Sequence, residues 1–138
     1  MALPDPSTPF GAAVRERLAV DKIIWLTTVG KDGTPQPNPV WFLFDGDTIL
    51  TYNRSGANRL THIKARPRVA LNLNQRDGDV VVLVGTAARA DDLPPSDRNP
   101  EYLAKYDAQM TRVSGSPAKF AAAYPVPMRI TIESVRGF

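Results

Sequence analysis

Three tight-turn signatures, KDGT at 31–34, DGD at 45–47 and RDGD at 76–79, each stand between two runs of strand-forming residues. Asp-Gly pairs supply the positive φ angles that short hairpin loops require, so the chain reverses at each of them. The runs are KIIWLTTVG (22–30), PQPNPVWFLFD (35–45), TILTYN (48–53), PRVALNLNQ (67–75), DVVVLVGTAARADD (79–92) and VPMRITIESVRGF (126–138). Val69, Leu71 and Leu73 alternate with small or polar residues, and Met128, Ile130 and Ile132 do the same. A period of two lays one face of each strand on a core. Gly85 interrupts the longest run and predicts a bulge or bend. Six strands joined largely by hairpins predict a mainly-β, antiparallel barrel or sandwich, because strands and helices do not alternate as in a doubly wound sheet.

Helical periodicity is confined to short segments. FGAAVRERLAV follows Pro9, with Thr8 placed to cap it and Pro9 at the first helical position. EYLAKYDAQMTRV (101–113) and SPAKFAAAY (116–124) predict two more helices, the second starting at Ser116–Pro117, and LPPSDRNP (93–100) reads as a loop. Residues 1–8, rich in Pro and Ser, read as a loose, flexible arm. The 138 residues suit a single domain, 1–138, with a sizeable core.

Composition removes several function classes. With no cysteine there is no disulfide, thiolate metal site or cysteine nucleophile, and one histidine leaves no His-rich metal centre. GxGxxG is absent, and the only Gly-Lys pair, Gly30–Lys31, is followed by Asp, so neither a dinucleotide fingerprint nor a P-loop is present. MALPDPSTPF has neither a charged n-region nor an apolar h-region, and no apolar run is long enough to span a bilayer. The expectation is a soluble cytoplasmic protein without membrane contact.

The charge is local. From Tyr52 to Val69 the chain reads YNRSGANRLTHIKARPRV, with Arg54, Arg59, Lys64, Arg66, Arg68, the one histidine, His62, and no acid. Of 17 basic residues five lie here, and the remaining 12 are outnumbered by 14 acidic ones. A nucleic-acid binder spreads its cations along several phosphates and interleaves them with stacking aromatics, whereas this element has Tyr52 alone at its edge. One short basic element suits a compact anion. Taken as a short helix, SGANRLTHIKA has Ser55 as a candidate N-cap, Gly56 leaves backbone amides open, and Arg59, His62 and Arg66 share a side while Leu60 and Ile63 anchor an adjacent arc. The helix start is a phosphate seat, onto which Arg59 can fork and Ser55 and Asn58 can donate. The competing reading is a solvated basic face.

Pro35, Pro37 and Pro39 fall on alternate positions of one strand, so they strip donors from one edge in succession. Gln36, Asn38 and Val40 keep their N–H groups, directed the other way. The pattern protects an edge strand from further pairing and equally forms a stiff rail along which a planar ligand can lie.

Taken in order, WLTTVGKDGTPQPNPVWF, a strand ending in TYN, NRLTHIKARPRVALNL and VVLVGTAARADD resemble the pyridoxamine-phosphate-oxidase-like split β-barrel family of flavin and deazaflavin binders, and most closely its F420-dependent oxidoreductases. The resemblance implies a six-stranded antiparallel split β-barrel and a homodimer with cofactor sites between subunits. It places Gln36, Pro37, Asn38, Pro39, Val40 and Trp41 along the tricyclic ring, and Thr51, Tyr52 and Asn53 along the ribityl chain. Ser55, Gly56, Ala57, Asn58, Arg59 and His62 would hold the phosphate. The family often has Lys where Arg59 stands and Asn where His62 stands. F420 carries an oligoglutamate tail that FMN lacks, for which Arg54, Lys64 and Arg66, with Arg76 or Arg136 from a partner chain, are candidate cations. The implied activity is hydride transfer between reduced F420 and a small-molecule acceptor, with Trp41 and Tyr52 as candidate walls of the acceptor pocket. No general acid or other catalytic side chain stands out. The alternatives are an FMN-dependent oxidoreductase on the same barrel and a carrier that binds F420 without turnover.

Overall fold

A computed structural model describes residues 2–138. Helix α1 (Pro9–Val20) leads into β1 (Ile24–Val29), followed by β2 (Pro35–Val40), β3 (Leu43–Asp45), β4 (Thr48–Asn53), α2 (Asn58–Ala65), β5 (Arg68–Leu73) and β6 (Val81–Arg89). A single 3-10 turn (Ser96–Arg98) precedes α3 (Pro100–Ser114), α4 (Pro117–Ala123) and β7 (Val126–Gly137). The strands form one antiparallel sheet in the order β2-β1-β5-β6-β7-β4-β3.

Seven strands replace the expected six because PQPNPVWFLFD breaks in two at Trp41–Phe42. The two halves form opposite edges of the sheet. Three Cα steps separate Val40 from Leu43, which is at most about 11 Å. The edges must therefore lie side by side, and the sheet curls into a half-barrel with a seam at this crossing. A helix closes the seam. The Tyr106 hydroxyl of α3 accepts from Phe42 N–H (2.9 Å) and lies 2.7 Å from Lys22 O, while Lys105 Nζ donates to Phe42 O (2.9 Å). These bonds satisfy buried backbone groups that a strand ladder would otherwise serve.

Several local expectations hold. Thr8 and Ser116 cap α1 and α4 through their side-chain oxygens, each with proline following. In the RDGD turn Asp77 and Gly78 both take positive φ, 53° and 83°, between the bridged residues Arg76 and Asp79. β2 is an edge strand, paired with β1 alone. The β6–β7 register shifts between Val84 and Gly85. A side chain at Gly85 would place its Cβ 2.5 Å from Thr131 O and 2.9 Å from Ile130 Cγ2. Gly85→Ala is expected to lower stability by about 1–3 kcal/mol, the usual cost of overpacking, read as a fall in the urea midpoint at unchanged slope.

The expected loose arm is docked instead. Leu3 is 7% exposed within the main core, and Pro4 O accepts from Arg15 Nη1 at 2.6 Å. Thr8 Oγ1 donates to Asp5 O at 2.7 Å while capping α1. Met1 lies outside the described residues.

Two cores result. Ile24, Leu26, Ile49, Val69, Leu71, Leu83, Met128 and Ile130 fill the barrel together with Val14 and Leu18 of α1. Leu50 and Tyr52, on the other face of β4, join Tyr102, Tyr106, Met110 and Phe120 in a second core beneath α3 and α4. Among the described residues no helix is long and apolar enough to cross a membrane.

Candidate functional site

The second core opens at the seam into a cleft of about 330 Å³. Pro39, Val40 and Trp41 supply its seam side, Tyr52 and Arg54 come from the end of β4, and Ala57 and Arg59 from the start of α2. Tyr102, Val113, Phe120 and Tyr124 close it from α3 and α4.

Its walls are built by ring stacking. Trp41 lies parallel to Tyr106 (centroids 4.9 Å apart, 5° between planes) and to Phe120 (5.0 Å, 13°). Phe120 stacks in turn on Tyr124 (4.5 Å, 20°). Arg54 covers the Tyr124 end, its guanidinium carbon 4.6 Å from the ring centroid and its Nη2 donating to the Tyr124 hydroxyl at 3.0 Å. Lys22 and Lys105 lie 5.3 and 5.4 Å from the Tyr106 ring at the other end. Such cation–ring contacts are attractive, and each well-placed ring pair adds about 0.5–1.5 kcal/mol beyond burial.

Tyr52 and Tyr102 stay neutral. Burial pushes Tyr52 up despite a hydrogen bond from Asn99, and pushes Tyr102 up with reinforcement from Tyr106 and Tyr52. Among the described residues no acid lines the cleft, so its formal charge comes from Arg54 and Arg59.

Lys105 titrates in reach of ordinary buffers. Burial, followed by the like charge of Lys22, pushes its ammonium down to about 8, with Asp21 opposing. A depressed base destabilises the fold at neutral pH, because the unfolded chain holds the proton that the folded chain tends to lose. Stability is therefore expected to rise from about pH 8 towards the ordinary lysine value of 10.5, and Lys105→Met should flatten that rise in urea midpoints measured against pH. Above pH 10 the tyrosines raised by burial act in the opposite sense.

The basic helix differs from expectation in two respects. Ser55 does not cap it: α2 begins at Asn58 with Ala57 as N-cap and no side-chain cap. The backbone turns first, Ala57 N–H donating to Arg54 O at 3.1 Å, which places Ser55 and Gly56 in an exposed turn and delays the helix. Arg59 is not a solvated surface residue. It is half-buried, and its Nε and Nη1 are sealed from solvent without a hydrogen-bond partner. Burial lowers its pKa, with Tyr124 opposing.

The other residues of that face anchor the helix. His62 Nδ1 and Thr28 Oγ1 are 2.8 Å apart, and Arg66 Nε donates to Val29 O at 2.8 Å. Ile63 is buried and Leu60 packs on the barrel core. Lys64 is exposed, and Arg76 faces Asp21 at 3.6 Å.

Of the residues assigned to a ligand from the sequence, Pro39, Val40, Trp41, Tyr52, Ala57 and Arg59 meet in the cleft. Gln36, Pro37 and Asn38 run along the exposed edge strand, where Gln36 and Asn38 pair with Thr28 and Leu26. Thr51 and Asn53 are buried, and Asn53 Nδ2 donates to Val126 O (3.1 Å), tying β4 to β7 while its Oδ1 has no partner. Asn58 is exposed at the helix start. Tyr102, Val113, Phe120 and Tyr124 join the cleft without being among the residues expected there. The i, i+4, i+8 spacing of Tyr102, Tyr106 and Met110 marks that buried face of α3.

A family model described as pyridoxamine 5'-phosphate oxidase matches residues 10–137. No curated protein matches. Among solved structures, an F420 reductase is 24% identical over 88% of this chain and 94% of its own, with a TM-score of 0.69. A FAD-binding protein from Mesorhizobium loti is 22% identical over 91% of both chains, with a TM-score of 0.67. HutZ, the heme storage protein from Vibrio cholerae, is 15% identical over 99% of this chain and 94% of its own, with a TM-score of 0.63. At these identities the likeness is one of fold.

Proposed function

This chain belongs to the pyridoxamine 5'-phosphate oxidase family, and from that premise we propose that it is an oxidoreductase that binds coenzyme F420 and reduces a small organic acceptor. The observation that carries the reading is Arg59, a half-buried guanidinium with two unpartnered nitrogens beside an aromatic cleft without acids. A buried donor left unsatisfied costs about 1–3 kcal/mol, more when charged, so the site is incomplete without an anion. The α2 N-terminus, which has no side-chain cap, adds free N–H groups and the positive end of the helix dipole. Together these fit a phosphate ester.

The chain's own residues would divide the work. Arg59 and the first amides of α2 hold the phosphate, Gln36 and Asn38 offer side-chain amides along the stiff edge strand, and Trp41 and Tyr52 wall the acceptor's space. When bound, F420 supplies two-electron hydride chemistry. The protein orients the partners and excludes water. Tyr52 and Tyr102, held neutral by burial, are poor acids, so solvent is the source of the proton. Lys64, exposed on α2, and Arg66 offer cations to the acidic tail that distinguishes F420 from FMN.

The same reading includes a second copy of the chain. Trp25, Thr27 and Val29 of β1, Ala70 and Asn72 of β5, and Val82 and Val84 of β6 are half-buried or exposed on the outer face of the sheet, beside the three prolines of β2. This face suits a homodimer that would cover the edge strand.

Equilibrium dialysis against F420 and against FMN, each alone, tests the proposal. Micromolar or tighter F420 binding with weak FMN binding supports it. The reverse preference assigns the protein to flavin chemistry, F420 binding without reduction of any acceptor assigns it to a carrier role, and failure of both cofactors to bind overturns the reading.

A further inference from the structure

The cleft has two arginines in different situations. Arg59 reaches it from the start of α2 with buried, unpartnered nitrogens. Arg54 stands at its mouth, exposed, and forms no ion pair among the described residues. Arg54 is oriented all the same. Its guanidinium lies over the Tyr124 ring, with Nη2 bonded to the Tyr124 hydroxyl. Tyr124 in turn stacks on Phe120, and Phe120 on Trp41. A guanidinium stacked on a ring keeps its remaining edge donors free to meet a carboxylate in the plane of the fork. The stack thus presents a preformed fork at the rim of a slot bordered by ring edges.

Size, shape and charge define what such a slot accepts. Its volume of about 330 Å³ is at the small end for ligand pockets. With their faces taken up in the stack, Trp41, Phe120 and Tyr124 present ring edges, which favour the face of a flat, conjugated body, and Arg54 with no opposing acid among the described residues favours an anion. Resting on the preceding reading, in which Arg59 holds the phosphate of the cofactor, we propose that this slot is the acceptor pocket and takes a small conjugated ring system bearing a carboxylate, gripped by Arg54 with Tyr124 as its positioning residue.

Calorimetric titration with 2-naphthoate and with its neutral amide, on protein with and without F420, tests this. The acid is expected to bind about tenfold more tightly than the amide or better, the scale of one charge-assisted hydrogen-bond pair. Arg54→Met should abolish that margin while leaving amide binding within about twofold. Tyr124→Phe, which keeps the ring stack and removes the hydroxyl, should narrow the margin without changing amide binding. Equal affinity for acid and amide would overturn the proposal. So would loss of naphthoate binding in Arg59→Ala but not in Arg54→Met, or weakened F420 binding in Arg54→Met, which would assign Arg54 to the cofactor. If neither F420 nor FMN binds, the cofactor reading fails alone, and the cofactor-free naphthoate titrations still decide this one.

Discussion

Arg59→Met is expected to weaken F420 binding about 10- to 150-fold and to leave the fold at least as stable as before. The first effect follows from the loss of charge-assisted hydrogen bonds, worth about 1.5–3 kcal/mol. The second follows from burial. Arg59 Nε and Nη1 are sealed from solvent with no protein partner, so in the free protein the charged head opposes folding while the aliphatic stem packs. Methionine keeps a flexible apolar stem and removes the desolvated charge. Equilibrium dialysis reads the affinity and urea denaturation reads the stability. Unchanged affinity would move the anion seat away from α2, and an unfolded variant would make Arg59 a structural residue.

The second large effect concerns Tyr106, a residue without solvent exposure in the second core. Tyr106→Ala removes a ring stacked on Trp41 and tilted against Tyr102, at about 3–5 kcal/mol for an aromatic truncation. It also leaves the Phe42 N–H without the hydroxyl that accepts from it, adding about 1–3 kcal/mol for a buried orphan. Against a typical domain stability of about 5–15 kcal/mol, that removes much of the margin. Tyr106→Phe separates the terms, because it keeps the ring and is expected to cost only the smaller amount. Urea midpoints for the two variants check the split; a Phe variant as unstable as the Ala variant would mean that the seam is held by the hydroxyl rather than by packing.

The strands were legible because their causes are local. Asp-Gly pairs at the turns, alternation in Val69–Leu73 and Met128–Ile132, and proline on alternate positions of β2 act within a few residues of where they stand. The break at Trp41–Phe42 was not legible because its cause is remote: the hydroxyl that satisfies Phe42 belongs to Tyr106, 64 residues along the chain. The start of α2 was misplaced for a local reason, since the turn that consumes Ser55 and Gly56 competes with a Ser cap that would have been equally good chemistry. The N-terminal segment looked loose because Pro and Ser say nothing of where Leu3 will pack. The candidate site divides in the same way. Its near wall, from Pro39 to Arg59, lies within one stretch of sequence, whereas its far wall is brought by α3 and α4, whose aromatic spacing signals burial but not the partner it meets.

The ring stack also determines what light reports. The chain has two tryptophans. Trp41 is clamped between Tyr106 and Phe120 beside the cleft, while the Trp25 indole donates to Asn74 Oδ1 at 2.8 Å on the outer face of the sheet. One indole therefore watches the pocket and the other watches the outer face of the sheet. The intrinsic emission of this protein is a sum of two spatially separate reports, and a Trp25→Phe variant would reduce it to a single-site probe of the cleft.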